Sequence, residues 1–278
     1  MELIRDYWVR ACLGDYEDEW LNRLKRLAKR RSVKIVRFQG RIRCVQKQKI
    51  GRSSRYRYLL HLKIFFQQAG NLYIEERILP YVHSTKGNHY VQEKPLNKEK
   101  NELKTPPAAR ENSDSFIEKP FNRRKAVQYA ERWWNEYNPD FKDFPNNCTN
   151  FVSQCLLAGE AKMWGFHDRE TGWWYTDENW SFSWSVAHSL RWLLSSSKKG
   201  LKGKEVFSPK ELLPGDIICY DFEGDGRWDH QAIVVVKDDN NEPLVNAHTN
   251  FSRHRYWSYE DSLAWTENTA YKFFQIDT

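Results

Sequence analysis

The sequence predicts an α+β protein in two parts: a small basic helix-plus-antiparallel-sheet module, then a second α+β region that carries the chemistry. Three observations point there. Charge divides the chain, because residues 1–100 hold 23 Lys/Arg against 10 Asp/Glu, net +13, which leaves 21 against 27, net −6, for residues 101–278. Within each part the apolar residues recur first at helical spacing and then at the two-residue period of strands. Between the parts, residues 94–121 are mixed in charge, poor in apolar residues and carry a Pro-Pro pair, which reads as a linker between a module at 1–93 and a domain at 122–278.

In the first part, Trp20, Leu21, Leu24, Leu27 and Ala28 predict a helix within Tyr16 to Arg31. Residues 33–47 predict a strand around Gly40, with Val36, Phe38, Ile42 and Cys44 inward and Arg37, Arg41 and Arg43 outward. From Arg55 to Phe66 the even positions (Tyr56, Tyr58, Leu60, Leu62, Ile64, Phe66) are apolar and the odd ones include Arg57, His61 and Lys63, a half-buried strand with a basic outer face. Residues 71–82 supply a third strand. Sixteen basic residues and no acid lie between Arg23 and Lys63. Such a face is either merely solvated or a surface for an anionic polymer or anionic lipid. Tyr56 and Tyr58 point inward, so the face lacks a base-stacking platform and nucleic acid is the weaker partner.

In the second part, Ala126, Tyr129, Ala130, Trp133 and Tyr137 form one stripe of a helix over 122–137. After the loop NPDFKDFPNN, a second helix begins at Cys148, capped by Asn147 and stopped at Gly159, with Phe151, Val152, Cys155 and Leu156 on its buried stripe. Three strands follow at 216–222, 229–237 and 243–249, an antiparallel meander. His230 opens the middle strand at the rim of an apolar run, and Leu244, Asn246 and His248 share one face of the next strand. A first-turn cysteine lies at the positive end of its helix, which favours the thiolate. The ordinary role of any single cysteine or rim histidine is structural; together, Cys148 and His230 make a nucleophile and base pair, with a polar residue placed to hold the ring.

Other features exclude or weigh alternatives. Hydrophobic residues make up 40% of 278 residues and charged ones 29%, against wholesale disorder. No apolar run is long enough to span a bilayer, and the charged N-terminus offers no signal core, so the expected setting is cytoplasmic or left unknown. Five scattered cysteines without a CxxC pair argue for free thiols in a reducing compartment and against a zinc site. The run Asp221-x-Glu223-x-Asp225-Gly226-x-x-Asp229 is similar to the front of a calcium loop, but Ala232 stands where the bidentate Glu belongs. An acidic turn that raises the pKa of His230 is the preferred reading, with no metal and no cofactor expected. The Trp-rich middle offers Trp173 and Trp174 as cleft residues, with Trp184, Leu190 and Trp192 assigned to the core.

The segments NCTNFVSQCLLAG (147–159), GDIICYDFEGDGRWDHQAIV (215–234) and PLVNAHT (243–249) resemble the putative-amidase-domain family of Gram-positive bacteria, within the papain-like cysteine hydrolases that include the NlpC-like endopeptidases and CHAP amidases. The resemblance covers roughly residues 122–270. It implies a papain-like fold, a nucleophile helix packed on an antiparallel sheet, with Cys148 as nucleophile and His230 as general base. It also implies Asn246 as the orienting third residue, with His248 as its rival; the spacing from His230 favours Asn246. The papain oxyanion glutamine has no counterpart, since Lys142 stands six residues before Cys148, leaving the backbone amides of Cys148 and of Asn146 or Asn147. The implied activity is hydrolysis of peptide amides through a thioester, with peptidoglycan peptides as a substrate class. A thiol acyltransferase on the same residues, or a non-catalytic wall- or polyanion-binding protein, is the alternative.

Overall fold

The computed structural model describes residues 1–86, 89–92 and 120–277, so the interval assigned as linker lies outside the described residues except for its last two. The chain forms two compact units, one drawn from Met1–Glu99 with Tyr259–Ala264, the other from Lys100–Ser258 with Trp265–Thr278. Both are mixed α/β with antiparallel sheets. Among the described residues, no helix is long and apolar enough to cross a membrane.

The first unit opens with a helix that the sequence reading missed, α1 (Glu2–Leu13), which buries Ile4, Tyr7, Trp8 and Ala11 and ends at Gly14 in the left-handed conformation. Its polar residues interrupt the apolar stripe, which hid the period. Helix α2 (Glu19–Arg30) is capped by Asp18, whose carboxylate accepts from the Leu21 amide at 3.0 Å, and it buries the five apolar residues expected. The sheet is an antiparallel series of β1 (Lys34–Ile50), β2 (Ser53–Gln68), β3 (Asn71–Lys86) and β4 (His89–Gln92). Along β2 the alternation holds: the even residues from Tyr56 to Phe66 are buried against the helices. The Trp8 indole donates to the Tyr58 hydroxyl at 2.8 Å, which lies 2.7 Å from His83 Nδ1, tying α1 to β2 and β3.

The predicted inward set of β1 is half corrected. A register shift between Ile35 and Arg37 turns Val36 out to solvent and gives its place to Ile35, while Phe38 and Ile42 stay against the core. Cys44 pairs with Tyr58 but is exposed, at the start of a second shift.

Segment 259–264 adds acids to the first unit beside those of β3. Glu260 pairs with Arg30, the Ser262 carbonyl accepts from Arg23 at 2.8 Å, and Asp261 lies 3.6 Å from the buried Arg77, which also binds Glu75 at 2.8 Å. Arg31 pairs with the other Glu75 oxygen at 2.9 Å, so the buried guanidinium groups each meet a carboxylate.

In the second unit, six antiparallel strands run in the order β9 (Ser252–Tyr256), β8 (Pro243–Ala247), β7 (His230–Lys237), β6 (Ile217–Asp221), β10 (Ala270–Asp277) and β5 (Lys202–Val206). Helices α3 (Arg123–Trp133) and α4 (Cys148–Ala158) pack with α5 (Phe182–Ser185) and α6 (Ala187–Ser196) around one core. Phe151, Val152, Cys155 and Leu156 of α4 meet Ile217, Cys219 and Ile233 of the sheet there. Gly215, at φ +97, turns the chain into β6. The next residue, Asp216, is fully buried and accepts from the Leu213 and Ile276 amides at 2.7 and 2.9 Å and from Arg123, fixing α3 to the sheet.

Candidate active site

The turn before α4 is held by one side chain. Asn147 Oδ1 accepts from the Phe144 amide at 3.1 Å and from Asn150 Nδ2 at 2.9 Å, while its Nδ2 lies 2.9 Å from His248 Nδ1. Asn147 therefore stands at the N-cap position without capping its own helix, and spends its amide on joining the turn to the end of β8. Asn146, the other proposed oxyanion residue, is exposed.

Cys148 follows as the first residue of α4, 4% exposed. Its Sγ lies 3.8 Å from the Thr149 hydroxyl and 4.0 Å from the Asp229 carbonyl. The expected acidification is not what the site produces. Burial pushes the thiol above its ordinary value, and the Gln231 backbone amide and the Thr149 hydroxyl offset this only in part. The positive helix end acts on a sulfur that has lost its water.

His230 begins β7, so the sulfur touches the strand beside the residue predicted to be its base. The strand register places the His230 imidazole on the Tyr220 side. His230 pairs with Tyr220, and its ring sits 5.5 Å from the Tyr220 ring and 6.0 Å from that of Phe222. The helix-facing side of the strand belongs to Gln231, whose Nε2 donates to the Ala187 carbonyl at 3.1 Å and to Cys219 Sγ at 3.4 Å, and to Ile233 in the core. Gln231 directly follows His230, and alternation from the apolar Ile233 was the signal that could have identified it. Burial lowers the His230 pKa to about 3, with the Arg255 guanidinium acting in the same direction. The acidic turn therefore does not raise it, contrary to expectation.

Neither proposed orienting residue shares a face with the His230 ring. Asn246 sits opposite Ile233 in the β7–β8 ladder, on the helix side. There its Nδ2 donates to the Ala130 carbonyl at 3.2 Å and to Glu131 at 2.9 Å, and its Oδ1 accepts from the His254 amide at 2.9 Å. His248 lies on the same side, stacked on Phe151 with centroids 3.9 Å apart and with Nε2 2.7 Å from the Trp133 carbonyl. Asn246 holds α3 to the sheet, and His248 holds both α3 and α4. Glu131, absent from the sequence reading, completes this joint by binding Arg253 at 2.6 Å and His254 at 3.0 Å.

Trp173 and Trp174 are corrected from cleft to core. Both are almost fully buried; the Trp173 indole donates to the Ser153 hydroxyl at 3.0 Å and that of Trp174 to the Asp168 and Thr171 carbonyls, both at 3.1 Å. Trp184 and Leu190 are core residues as expected, whereas Trp192 is half exposed. In the acidic turn, donor oxygens of Asp221, Glu223 and Asp229 lie within 4.8 Å of one another. Asp221 is already occupied by the Gly224, Asp225 and Gly226 amides at 2.8, 3.3 and 2.7 Å, so the loop closes on its own backbone.

Comparison with known proteins gives the family. The chain is 44% identical over 266 residues to the uncharacterized protein YhbB of Bacillus subtilis (strain 168), covering 92% of this chain and 85% of that protein. It is 33% identical over 131 residues to the uncharacterized protein YjcM of the same organism, covering 43% of this chain and 29% of that protein. No solved structure matches. Residues 120–274, which contain Cys148, His230 and the whole Asn147–His248 joint, match the family described as a putative amidase domain, and the chain belongs to that family.

Proposed function

We propose that this protein is a cysteine-dependent amidase or peptidase of the papain-like type, with Cys148 as nucleophile, His230 as proton acceptor and peptidoglycan peptides as the substrate class. The observation that carries the reading is the seat of the sulfur: it opens a buried helix and rests on the Asp229 carbonyl, one residue from His230. The protonation states leave the proton on sulfur at rest, and its transfer needs the ring to leave the burial that lowers its pKa. A thiol pushed up by burial and an imidazole lowered to about 3 are both neutral near pH 7, and a neutral imidazole is the form that can take a proton.

In the resting arrangement the ring lies on the Tyr220 side of β7. The reaction therefore requires His230, the first residue of its strand, to bring its ring round the strand end as substrate seats. The thiol proton then passes to the imidazole while sulfur attacks the amide carbonyl. The imidazolium gives that proton to the leaving amine as the C–N bond breaks, and a thioester remains. Water, losing a proton to the same ring, cleaves the thioester to carboxylate and thiol. The near closure of the site around Cys148 favours one second reading, acyl transfer to an amine in place of water.

The test is incubation of the full chain with muropeptides and with plain peptides, read by mass spectrometry for hydrolysis and transfer products. Cys148→Ala and His230→Ala are each expected to lower turnover by about 10⁴-fold or more with the fold intact. Full activity of either variant, or covalent trapping of a substrate analogue on Cys155 or Cys219, overturns the reading.

A further inference from the structure

We infer that the open face of the β1–β3 sheet binds a linear phosphodiester chain through its backbone charges, without reading bases. The inference is independent of the amidase reading. The two faces of this sheet differ in kind. One is covered by α1 and α2 and carries the aromatic and aliphatic residues of the core.

The register defines the other face. Arg41 lies opposite His61, Arg43 opposite Leu59, Arg37 opposite Phe65, Gln46 opposite Arg57 and Gln48 opposite Arg55, so five arginines and Lys63 project together. All five arginines are exposed. Among the described residues of β3, Glu76 is the one acid on that face, and it is engaged by His61 at 2.7 Å and Lys63 at 3.3 Å. No ion pair within the described residues holds Arg37, Arg41, Arg43 or Arg57. Their charges cost free energy to hold so close, and a polyanion relieves that repulsion.

Three features select the ligand. The charges are mostly guanidinium groups, whose planar forks match phosphate oxygens in pairs. They follow two strands of 17 and 16 residues, a track of roughly 55 Å, which suits a linear chain better than a compact anion. Of the rings on the face, Phe65 is half buried with the Arg37 guanidinium 5.7 Å from its centroid and His61 is engaged by Glu76 at 2.7 Å, so neither offers a platform for stacking a base, and the exposed apolar residues there, Ile50 and Leu72, stand singly at opposite ends of the strands and form no patch to enter a lipid layer.

The experiment uses the full chain, an oligodeoxythymidylate of about 20 nucleotides, the abasic chain of the same length, and vesicles rich in phosphatidylglycerol. Both chains are expected to bind alike at low salt, with log affinity falling linearly in log salt. The combined Arg37→Gln, Arg41→Gln, Arg43→Gln, Arg57→Gln variant should lower that slope by about 3, from about 0.7 per lost phosphate contact, with an unchanged thermal unfolding curve. If it does not fold, Arg41→Gln and Arg57→Gln singly should each lower the slope by about 0.7. Binding of vesicles but of neither chain, binding of the base-bearing chain alone, no binding of either chain, or an unaltered slope in the variants would overturn the inference.

Discussion

Glu131 is the residue whose titration should be visible in the stability of the second unit. It joins α3 to β8 and β9: one oxygen accepts from Asn246 at 2.9 Å and His254 at 3.0 Å, the other from the Arg253 guanidinium at 2.7 and 2.6 Å. Burial alone would push this carboxyl up; its hydrogen bonds and ion pairs with His254 and Arg253 outweigh that and lower its pKa from 4.5 to about 2. At about 1.36 kcal/mol per pKa unit the ionised group contributes at most about 3.4 kcal/mol, and partial exposure of the pair brings the working figure to about 2–3 kcal/mol. The sign follows from the depressed folded value. The contribution is complete above pH 4.5, because both states are then ionised, and it is lost as pH falls toward 2, since the unfolded chain takes up its proton first. Denaturant unfolding of the wild type and Glu131→Gln should differ by about 2–3 kcal/mol at pH 7 and by about 40% of that at pH 3. A gap that stays constant with pH, or widens in acid, would refute the account, because a purely steric or packing role for Glu131 has no reason to titrate.

Two further outcomes follow from burial and packing. A thiol reagent applied to the native protein should modify the exposed Cys44 first, and Cys148 should gain reactivity only at pH above the ordinary thiol range, because burial raises its pKa; a Cys148 plateau already reached at neutral pH would contradict the closed seat of the sulfur. Trp184→Ala removes a fully buried ring that packs on Trp173 and Tyr175 at 5.1 Å and donates to Asn150 at 2.7 Å, so unfolding experiments should show a loss of about 3–5 kcal/mol, and a loss below about 1 kcal/mol would place that ring outside the cooperative core.

The parts of this molecule legible in the sequence are those where a single element decides its own pattern. The β2 alternation, the buried stripe of α4 and the three-strand meander around His230 all depend on burial at a local period, and the structure shows each of them. What escaped depends on how one element meets another. Val36 faces solvent because a single extra residue in β1 shifts its pairing with β2, and nothing in the apolar pattern marks where such a shift falls. The face shared by Asn246 and His230 was a question of the same kind. Counting in twos along β8 correctly groups Leu244, Asn246 and His248, but which residues of β7 share their face is fixed by the pairing of Asn246 with Ile233. Had the register differed by one, the imidazole of His230 would join the polar residues on the helix side and the Gln231 amide would face away. The chemistry of the site thus turns on a one-residue choice at the first position of β7. That position adjoins the irregular residues 227–229 and is where the proposed proton acceptor must turn.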